Sequence, residues 1–475
     1  MKISELLKGV CPCEDNFEIT DVVSNSKEVK QDVLFVCIKG ERFDGHTAAK
    51  QALEKGAAAV ITERDLGLEK QYIVENTRNA LSLIASNWYG NPTSNLKLIG
   101  VTGTNGKTTS VYILRHLLES FGHRVGLIGT IEYDTGFRRV HAPNTTPEPM
   151  LLQSMFAEMV DAGCDYVVME ASSQALAQGR LYGEHFCGAI FTNLTEDHLD
   201  YHKTQENYFL SKKMLLEMSD VALVNADDKA GRRLITEQPC RTLGFSIEGK
   251  SDYSAENIKY TIDGVSYWAI FNEKAYFVKF AMPGEYSAKN SLAALALMIE
   301  MGFDEKKAVK ALLECSAIRG RSEIIPTGKD FTVMCDFAHT PDALKKILTM
   351  IKKFTKGRLI CLYGAAGERD AVKRPIMGDV TATLADYLIL TSDNPRYEDE
   401  QKIVDDLLVG IKNHDTPYVT ILDREEAIKY AVSILKSGDV LLLAGKGHED
   451  YQAIKGVDIP FDERKIVLKA IADLK

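Results

Sequence analysis

The sequence has no apolar run that approaches the roughly 18 residues of a membrane span, and its first residues, Met-Lys-Ile-Ser-Glu, lack the apolar core of a signal peptide. It also has no excess of positive charge, because 57 lysines and arginines face 67 aspartates and glutamates and give a net charge of −10. Such a chain has no general affinity for nucleic acid or anionic membranes, although a local basic pocket is compatible with it. We therefore expect a cytoplasmic protein that neither inserts into a membrane nor binds nucleic acid.

The nine cysteines contain no Cys-x-x-Cys pair, and the one close pair, Cys11 and Cys13, has no further metal ligands that we can assign to it. An odd number of scattered cysteines does not form a disulfide framework in a chain of 475 residues. We expect reduced thiols, most of them buried. Internal repeats and low-complexity tracts are also absent from the sequence, and its length predicts about two to four domains.

The clearest functional signal is a glycine-rich loop, Gly103-Thr104-Asn105-Gly106-Lys107-Thr108-Thr109. A strand-like apolar run precedes it at residues 96–101, and apolar residues recur at helical spacing over residues 110–121. In a strand, loop and helix of this kind, backbone N–H groups and the helix N-terminus bind phosphate, the lysine reaches the terminal phosphates, and a threonine hydroxyl can hold Mg²⁺. The strict P-loop pattern is not met, because Val101 occupies the position of its first glycine. The alternative is a tight turn with a chance lysine.

The hydrophobic pattern predicts three α/β domains, at residues 1–92, 93–319 and 320–475. The first is a small mixed α/β domain that ends at the linker Gly90-Asn91-Pro92-Thr93. The second is a central P-loop-type doubly wound sheet with an antiparallel portion over residues 260–280, and the third is a C-terminal Rossmann-like domain. Strands are predicted at residues 33–38, 57–61, 96–101, 125–128, 166–169, 189–192, 221–224, 331–335, 358–363, 387–391, 418–422 and 440–444, and helices at 46–55, 76–89 and 286–301.

Polar residues follow the predicted strands of the central domain. Glu170 follows the strand at residues 166–169, where a nucleotide-binding fold commonly places a metal-holding carboxylate, and the alternative is a solvated loop glutamate. His198 and His202 have the spacing of a zinc pair, but no third nitrogen or sulfur ligand is near, so a structural role is the more ordinary interpretation. A GTPase is disfavoured, because the guanine-reading lysine and the Asp-x-x-Gly switch are missing.

Four polar clusters follow strands of the C-terminal domain and predict a second binding face, at residues 336–342, 364–374, 393–396 and 445–449. Together, Asp-Asn-Pro-Arg and Gly-Lys-Gly-His-Glu offer an arginine for a carboxylate and a glutamate for an ammonium. These groups fit an amino-acid zwitterion.

Taken together, the motifs resemble those of the Mur ligase family, in particular the branch that adds the third residue of the peptidoglycan stem peptide. The resemblance covers all three predicted domains. It rests on the glycine-rich loop and on Asn144-Thr145-Thr146-Pro147, Glu170-Ala171-Ser172-Ser173, Asp197-His198-Leu199-Asp200-Tyr201-His202, Gly320-Arg321-Ser322-Glu323, His339-Thr340-Pro341-Asp342-Ala343-Leu344, Asp393-Asn394-Pro395-Arg396 and the segment from Gly445 to Glu449.

The resemblance implies an ATP- and Mg²⁺-dependent ligase that acts on UDP-N-acetylmuramoyl-L-alanyl-D-glutamate, and we expect it to be a monomer. It assigns each role by position. The residues that would bind ATP are Gly103, Thr104, Asn105, Gly106, Lys107, Thr108, Thr109, Asn290, Arg321 and His339, and those that would bind the UDP-sugar-peptide are Ser24, Ser26, Asn144, Thr145, Thr146, Ser172, Gln178 and Arg180. The metal ligands would be Thr108, Glu170, His198 and a carbamylated Lys212. The amino acid would be bound by Arg369, Asp393, Asn394, Pro395, Arg396, Gly445 and Glu449.

In the implied reaction the acceptor carboxylate attacks the γ-phosphorus of ATP and gives an acyl phosphate, which the incoming amine then attacks. Domain closure is expected to keep water out. The Asp-Asn-Pro-Arg string matches the signature associated with meso-diaminopimelate, whose second carboxylate Arg396 would bind. L-Lysine, which lacks that carboxylate, is the alternative substrate.

Three departures from the family pattern leave room for a specialised paralogue: Gln174 stands where His is expected, Lys27 where Arg is usual, and Phe337 where Tyr is common. Two further alternatives remain. One is a related ligase such as a folylpolyglutamate synthetase, and the other is a catalytically silent nucleotide-binding regulator. The intact Lys107, Glu170, His198 and Lys212 argue against silence.

Overall fold

The computed structural model describes residues 1–40, 43–195 and 197–474, which form two compact units. The first unit comprises Met1–Ser254 with Lys289–Ala311, and the second comprises Ala255–Ala288 with Leu312–Lys475. The predicted domain boundaries at residues 92 and 319 differ from this division and stay predictions. No helix in the described ranges is both long and apolar enough to cross a membrane.

The first unit contains twelve complete strands: β1 Asp21–Val23, β2 Val33–Val36, β3 Ala59–Thr62, β4 Gln71–Ile73, β5 Lys97–Thr102, β6 Val125–Ile128, β7 Glu132–Asp134, β8 Arg139–His141, β9 Tyr166–Glu170, β10 Phe186–Phe191, β11 Val221–Asn225 and β12 Arg241–Ser246. Its helices are α1 Ile3–Leu6, α2 Ala49–Glu54, α3 Thr77–Trp88, α4 Lys107–Ser120, α5 Pro149–Asp161, α6 Ser173–Ala177, α7 Leu199–His202, α8 Gln205–Glu217 and α9 Lys229–Glu237, followed by α10 Glu285–Glu300 and α11 Glu305–Glu314, which belong in part to the second unit.

Strand β5 lies in the interior of the larger sheet of this unit. The strand order there is β12-β11-β10-β5-β9-β6-β7-β8, with parallel pairing from β12 to β6 and antiparallel pairing of β7 and β8. The strands β5 and β9 are buried almost throughout, as expected for parallel strands covered on both faces. Because ligands of such sheets bind beyond the carboxyl ends of the strands, the loop after β5 opens at the centre of that edge.

The second unit contains the antiparallel hairpin of β14 Gly264–Phe271 and β15 Lys274–Phe280, which follows β13 Tyr253–Thr261. Its remaining strands are β16 Glu323–Ile325, β17 Thr332–Asp336, β18 Leu359–Tyr363, β19 Tyr387–Leu390, β20 Tyr418–Thr420, β21 Val440–Ala444, β22 Tyr451–Ile454 and β23 Val457–Pro460. The helices are α12 Pro341–Lys352, α13 Lys373–Leu384, α14 Glu400–Ile411, α15 Arg424–Ser433 and α16 Glu463–Ala472.

The main sheet of the second unit has the order β16-β17-β21-β18-β19-β20, and only β16 runs antiparallel. The strands that precede the four predicted polar clusters, β17, β21, β18 and β19, are therefore consecutive neighbours. Since parallel strands end at the same edge, the four clusters lie along one edge of this sheet.

The predicted α/β class, the parallel strands and the antiparallel hairpin are confirmed, with the ends of the predicted parallel strands shifted by at most three residues. Two hairpins, β7-β8 and β22-β23, were not predicted, because their strands are only three or four residues long and mostly exposed or half-buried. The helix predicted at residues 46–55 begins as a 3₁₀ turn, Gly45–Ala48. All nine cysteines are free thiols and five of them are buried, as expected.

Candidate active site

The loop between β5 and α4 is shaped by two glycines in left-handed conformations, Gly103 at φ 141° and Gly106 at φ 91°. A side chain at Gly103 would overlap Thr192 Oγ1, and a Cβ at Gly106 would lie 2.7 Å from Asn290 Oδ1. The predicted ATP residue Asn290 therefore lies against the loop. Both positions have positive φ values that residues other than glycine rarely adopt, which explains the pattern Gly-x-x-Gly here although the strict motif is not met.

Side chains at the end of β10 hold the loop in place. Asn105 N donates to Asn193 Oδ1 at 3.0 Å, and Asn193 Nδ2 donates back to Asn105 O at 3.0 Å. Thr192 Oγ1 also donates to Asn105 O at 2.6 Å. Because these bonds engage both the N–H and the C=O of Asn105, they support one conformation of the loop, as a preorganised phosphate site requires.

Two lysines converge on one carbonyl of the loop. Lys107 Nζ donates to Gly103 O at 3.0 Å and to Thr104 O at 2.9 Å, while Lys212 Nζ donates to Gly103 O at 2.8 Å. Lys212 is only 1% exposed, and burial, with the neighbouring Lys107 charge, lowers its pKa well below the ordinary value, against a smaller opposing effect of Asp197. Its amine is thus disposed to be neutral, which is the reactive form of a lysine.

The side chain of the adjacent Lys213 lies in a different environment. Its ammonium pairs with Glu237 at 2.8 Å and with Glu217 at 3.5 Å, and these partners raise its pKa. Lys213 directly follows Lys212 in the chain, so only the structure shows how different their surroundings are. The structure places Lys212 at the phosphate loop and Lys213 in a surface ion-pair cluster.

Glu170 is the last residue of β9 and is fully buried, so its interpretation as a solvated loop glutamate is wrong. Thr130 N donates to Glu170 Oε1 at 2.9 Å and Thr130 Oγ1 donates to Oε2 at 3.1 Å. Within the described residues, no lysine or arginine pairs with this carboxylate. A buried carboxylate with only hydroxyl and amide partners is costly unless a cation lies nearby.

His198 and His202, whose spacing is that of a zinc pair, lie in different surroundings. His198 has a left-handed backbone with φ 53°, is exposed by half at its side chain, and lies 3.6 Å from Asp197 through Nε2. His202 is buried, with Nε2 3.0 Å from Ser173 Oγ and Nδ1 3.4 Å from Ser211 Oγ. The structural interpretation therefore holds for His202, and His198 alone is open to solvent.

A cavity of about 350 Å³ lies in the same unit and collects four of the predicted acceptor residues. Ser24 and Ser26 line it from the loop after β1, and Gln178 and Arg180 line it from the segment after α6. Arg180 is held by Gln178 Oε1, by Thr146 O at 2.7 Å and by Glu148 at 2.6 Å. Residues separated by about 150 positions in the chain thus form one pocket, as the resemblance implies.

Thr146 and Thr145, two of the remaining predicted acceptor residues, are joined to Glu170 directly and through Thr130, respectively. Thr146 Oγ1 donates to Glu170 O at 2.8 Å and accepts from Ser172 N at 3.1 Å. Thr145 Oγ1 lies 3.1 Å from Thr130 Oγ1, which itself holds the Glu170 carboxylate. Asn144 accepts a short hydrogen bond from Tyr133 at its carbonyl and is otherwise exposed. One hydrogen-bond network therefore connects three predicted acceptor residues, Thr145, Thr146 and Ser172, with the predicted metal residue Glu170.

In the second unit, the predicted amino-acid residues meet at the ends of β19 and β21. Asn394 Nδ2 donates to Glu449 Oε2 at 2.7 Å, so these two members of the set are in direct contact. A side chain at Gly445, which has φ 110°, would overlap Asp393 Oδ2. Pro395 is buried, Arg396 is half-buried with φ 55°, and Arg369 is exposed. The polar clusters thus converge as the strand order requires.

Arg321 and His339, the other predicted ATP residues, flank Phe337 in this second unit. The Arg321 guanidinium lies 4.7 Å from the Phe337 ring centre, and the His339 ring lies at the same distance in an edge-on arrangement. Phe337 stands where the family commonly has Tyr, and its ring serves here as the packing surface for both residues. The substitution therefore keeps an aromatic face and loses only a hydroxyl.

Family models match three successive parts of the chain. They are "Mur ligase family, catalytic domain" over residues 18–89, "Mur ligase middle domain" over 101–298 and "Mur ligase, glutamate ligase domain" over 320–447. A protein of Clostridium tetani named UDP-N-acetylmuramoyl-L-alanyl-D-glutamate--2,6-diaminopimelate ligase is 41% identical over 100% of both chains. The chain belongs to the Mur ligase family. As a Mur ligase it is an enzyme, and the predicted resemblance is confirmed.

Other relatives of this Mur ligase agree with that assignment. A Clostridium botulinum protein of the same name is 42% identical over 97% of each chain. A solved structure of a ligase of that name is 30% identical, with a TM-score of 0.70 over 99% of each chain. A Thermotoga maritima MurF ligase in complex with ADP has a TM-score of 0.61 at 20% identity, over 95% of this chain and 96% of that one, and shows likeness of fold.

The donor set that the resemblance implies fits Mg²⁺ in its chemistry, while no group of three or more His, Cys, Asp or Glu side chains among the described residues is arranged to hold a metal ion. Thr108 and Glu170 supply oxygen donors, which Mg²⁺ prefers, and Glu170 is a buried carboxylate without a lysine or arginine partner among the described residues. Lys212, in its observed place at the loop, would add oxygen ligands only as a carbamate.

Sequence reasoning missed several residues of the Mur ligase site. Thr130 holds Glu170, Arg78 lines the same cavity as Ser24 and Arg180, and Lys446 contacts Asn394 and Glu449. A signal existed only for Lys446, which lies inside the Gly-Lys-Gly-His-Glu motif. The departures Lys27 and Gln174 make no contact that explains a change of acceptor.

Proposed function

We propose that this Mur ligase joins meso-2,6-diaminopimelate to UDP-N-acetylmuramoyl-L-alanyl-D-glutamate with consumption of ATP, in peptidoglycan synthesis. The observation that carries the proposal is the phosphate loop with Lys107 and Lys212 on the Gly103 carbonyl, in a chain aligned from end to end with relatives named for this reaction. We also propose a cytoplasmic monomer with domains at residues 1–92, 93–319 and 320–475.

The chemistry begins with charge neutralisation. The acceptor carboxylate and the ATP phosphates repel each other, and the Lys107 ammonium at the loop offsets part of the phosphate charge. Thr108, Glu170, His198 and Lys212 would hold Mg²⁺, which supplies further positive charge at the phosphates when bound. The carboxylate oxygen then bonds to the γ-phosphorus as the bond to ADP breaks, and an acyl phosphate results.

Lys212 is proposed to act as a carbamate. Its neutral amine can attack carbon dioxide and lose a proton, which converts a group of lowered pKa into an anion beside the phosphate loop. Burial and the nearby Lys107 favour the neutral amine that reacts, and the positive charge of Lys107 also attracts the carbamate anion once it forms.

The acceptor is proposed to lie along the network described above. Ser24 and Ser26 would contact the uridine diphosphate end in the 350 Å³ cavity, with Gln178 and Arg180 on its other side. Asn144, Thr145, Thr146 and Ser172 would hold the sugar and peptide toward Glu170. Arg78, which also lines this cavity, adds a cation suited to the diphosphate.

The amino acid is proposed to bind at the loop that carries Asn394 and Arg396. Arg396 and Arg369 are candidates for the carboxylates of meso-diaminopimelate, and Glu449 for an ammonium. The unprotonated amine of the bound amino acid attacks the acyl carbon of the acyl phosphate. Phosphate leaves, and the nitrogen releases a proton as the amide forms. L-Lysine would leave Arg396 without a carboxylate partner, which costs roughly 2–5 kcal/mol where a buried charge pair is broken.

The test is phosphate release from ATP in the presence of UDP-N-acetylmuramoyl-L-alanyl-D-glutamate, with meso-diaminopimelate, with L-lysine and with no amino acid. Release that requires meso-diaminopimelate is expected. Release that requires L-lysine would retain the ligase and refute the role of Arg396, and release without an amino acid would indicate a simple ATPase. Lys107→Met should abolish release, whereas the exposed Lys310→Met should not.

A further inference from the structure

A buried lysine that no assigned role uses lies at the centre of the proposed amino-acid site. Lys446 is fully buried in the motif after β21. Its Nζ donates to Asn394 Oδ1 at 2.9 Å and to Tyr451 O at 2.8 Å, and it contacts Glu449 Oε2 at 3.4 Å. We infer that Lys446 is the positioning residue that fixes Asn394 and Glu449 for recognition of the amino-acid substrate.

The contacts of Lys446 determine which way the Asn394 amide faces. Asn394 Oδ1 accepts from Lys446 Nζ and also from Ala453 N at 2.9 Å, and both of these partners can only donate. Nδ2 therefore faces Glu449, where it donates to Oε2 at 2.7 Å. Without the ammonium, one of the two donors that distinguish the amide oxygen from the amide nitrogen is lost.

The same contacts divide the two oxygens of Glu449. Oε2 receives both Asn394 Nδ2 and Lys446 Nζ. Across the described residues, Glu449 Oε1 accepts no hydrogen bond. The Glu449 side chain is 15% exposed. This leaves one carboxylate oxygen, held in a fixed orientation, for an ammonium of the substrate.

Lys446 also balances the charge of the site. It lies 3.6 Å from Asp393 Oδ1 and 3.4 Å from Glu449 Oε2, so one ammonium faces two carboxylates from different loops. One ammonium between two carboxylates leaves negative charge at Asp393 and Glu449, which attracts a cationic amino group. Burial and Asp393 raise the pKa of Glu449, while Lys446 and Asn394 oppose that rise and favour its ionised form.

This inference rests on the proposed function for its kinetic test. In Lys446→Met, the KM for meso-diaminopimelate should rise roughly 10- to 100-fold, since a buried donor and its charge are removed, and the KM for ATP should stay unchanged. Lys429→Met, which removes a lysine of a surface ion-pair group in the same unit, is the matched control and should change neither.

A pH profile separates positioning from a loss of packing. The groups that face Glu449 are Lys446 in its own turn, Asp393 and Asn394 after β19, and Tyr451 on β22. Without Lys446, protonation of Glu449 becomes easier, so the acid limb of kcat/KM for the amino acid should move to higher pH. An equal loss of kcat/KM at every pH, with the KM values for ATP and amino acid raised alike, would overturn the inference.

A crystal structure of Lys446→Met gives a result that does not depend on catalysis. The Asn394 amide and the Glu449 carboxylate are expected to leave their present contact of 2.7 Å. If both side chains keep their positions, the inference is wrong even where activity falls. If instead the wild-type protein shows no amino-acid-dependent release of phosphate, the proposed function fails, and the crystal structure still decides the role of Lys446.

Discussion

Lys212 Nζ donates a hydrogen bond of 2.8 Å to the carbonyl of Gly103, 109 positions away in the chain. This hydrogen bond attaches a buried lysine to the phosphate loop. Its lowered pKa follows from burial and from the Lys107 ammonium that shares the same acceptor. The relationship gives Lys212 a measurable effect on stability as well as a proposed role in catalysis.

In buffer free of carbon dioxide, Lys212→Met should raise the free energy of unfolding at pH 7. Folding lowers the pKa of Lys212 from 10.5, so between the lowered pKa and 10.5 the unfolded chain binds one proton more than the folded chain. Wild-type stability therefore rises with pH in that window, by at most about 1.4 kcal/mol per pH unit. The advantage of the variant should shrink as the pH approaches 10, as urea unfolding would measure.

The neighbouring Lys213→Met is the control for that experiment. It removes a surface ion-pair member and should change the free energy of unfolding by less than about 1 kcal/mol. The lowered pKa of Lys212 would be contradicted if the Lys212→Met protein were less stable than the wild type at pH 7 and the difference in their free energies of unfolding did not change at higher pH.

Gly106→Ala should lower kcat/KM for ATP by roughly 100-fold, because the new methyl group would lie 2.7 Å from Asn290 Oδ1 and displace this side chain from the phosphate loop. Gly122→Ala is a close control, since Gly122 has φ 92° but nothing within 4 Å of an added Cβ. Both variants should lose about 1–3 kcal/mol of stability from backbone strain. Only Gly106→Ala should lower kcat/KM for ATP. An equal decrease in both variants would show that backbone strain alone lowers kcat/KM.

Arg78→Ala should raise the KM for the UDP-linked acceptor about 10- to 100-fold, which corresponds to loss of a charge-assisted hydrogen bond. Arg78 lines the acceptor cavity and donates to Lys39 O at 3.0 Å, which steadies its side chain. Steady-state kinetics with each substrate varied would measure the effect. Arg233→Ala, on the surface of the same unit, should leave all KM values unchanged. A matching increase in the KM for ATP would remove Arg78 from the acceptor site.

Arg396→Ala should raise the KM for meso-diaminopimelate about 30-fold or more, equivalent to about 2 kcal/mol for a half-buried charge pair. The KM for ATP should change little. Competition between meso-diaminopimelate and L-lysine gives a second measurement, since the variant should discriminate less between them. Lys465→Ala, whose side chain is 83% exposed, is the control. Equal increases in both KM values would refute the assigned role.

Local features were predictable from the sequence because they depend on neighbouring residues. The loop after β5, the parallel strands and the antiparallel hairpin follow from glycine positions and from hydrophobic periodicity. The convergence of Asn394 and Glu449 also follows, once their strands are recognised as parallel. The short hairpin strands β7, β8, β22 and β23 were missed, since so few residues carry too weak a pattern.

The sequence by itself determined the fold class, the phosphate loop and the family. Only the tertiary structure decided that Lys212 and not Lys213 reaches Gly103, that Thr130 holds a fully buried Glu170, and that Arg78 lines the acceptor cavity. Burial and long-range contacts depend on how distant segments pack, and neither spacing nor composition encodes that packing. For the same reason, Lys446 was visible as one letter of a motif but acquired a role only through its contact with Asn394.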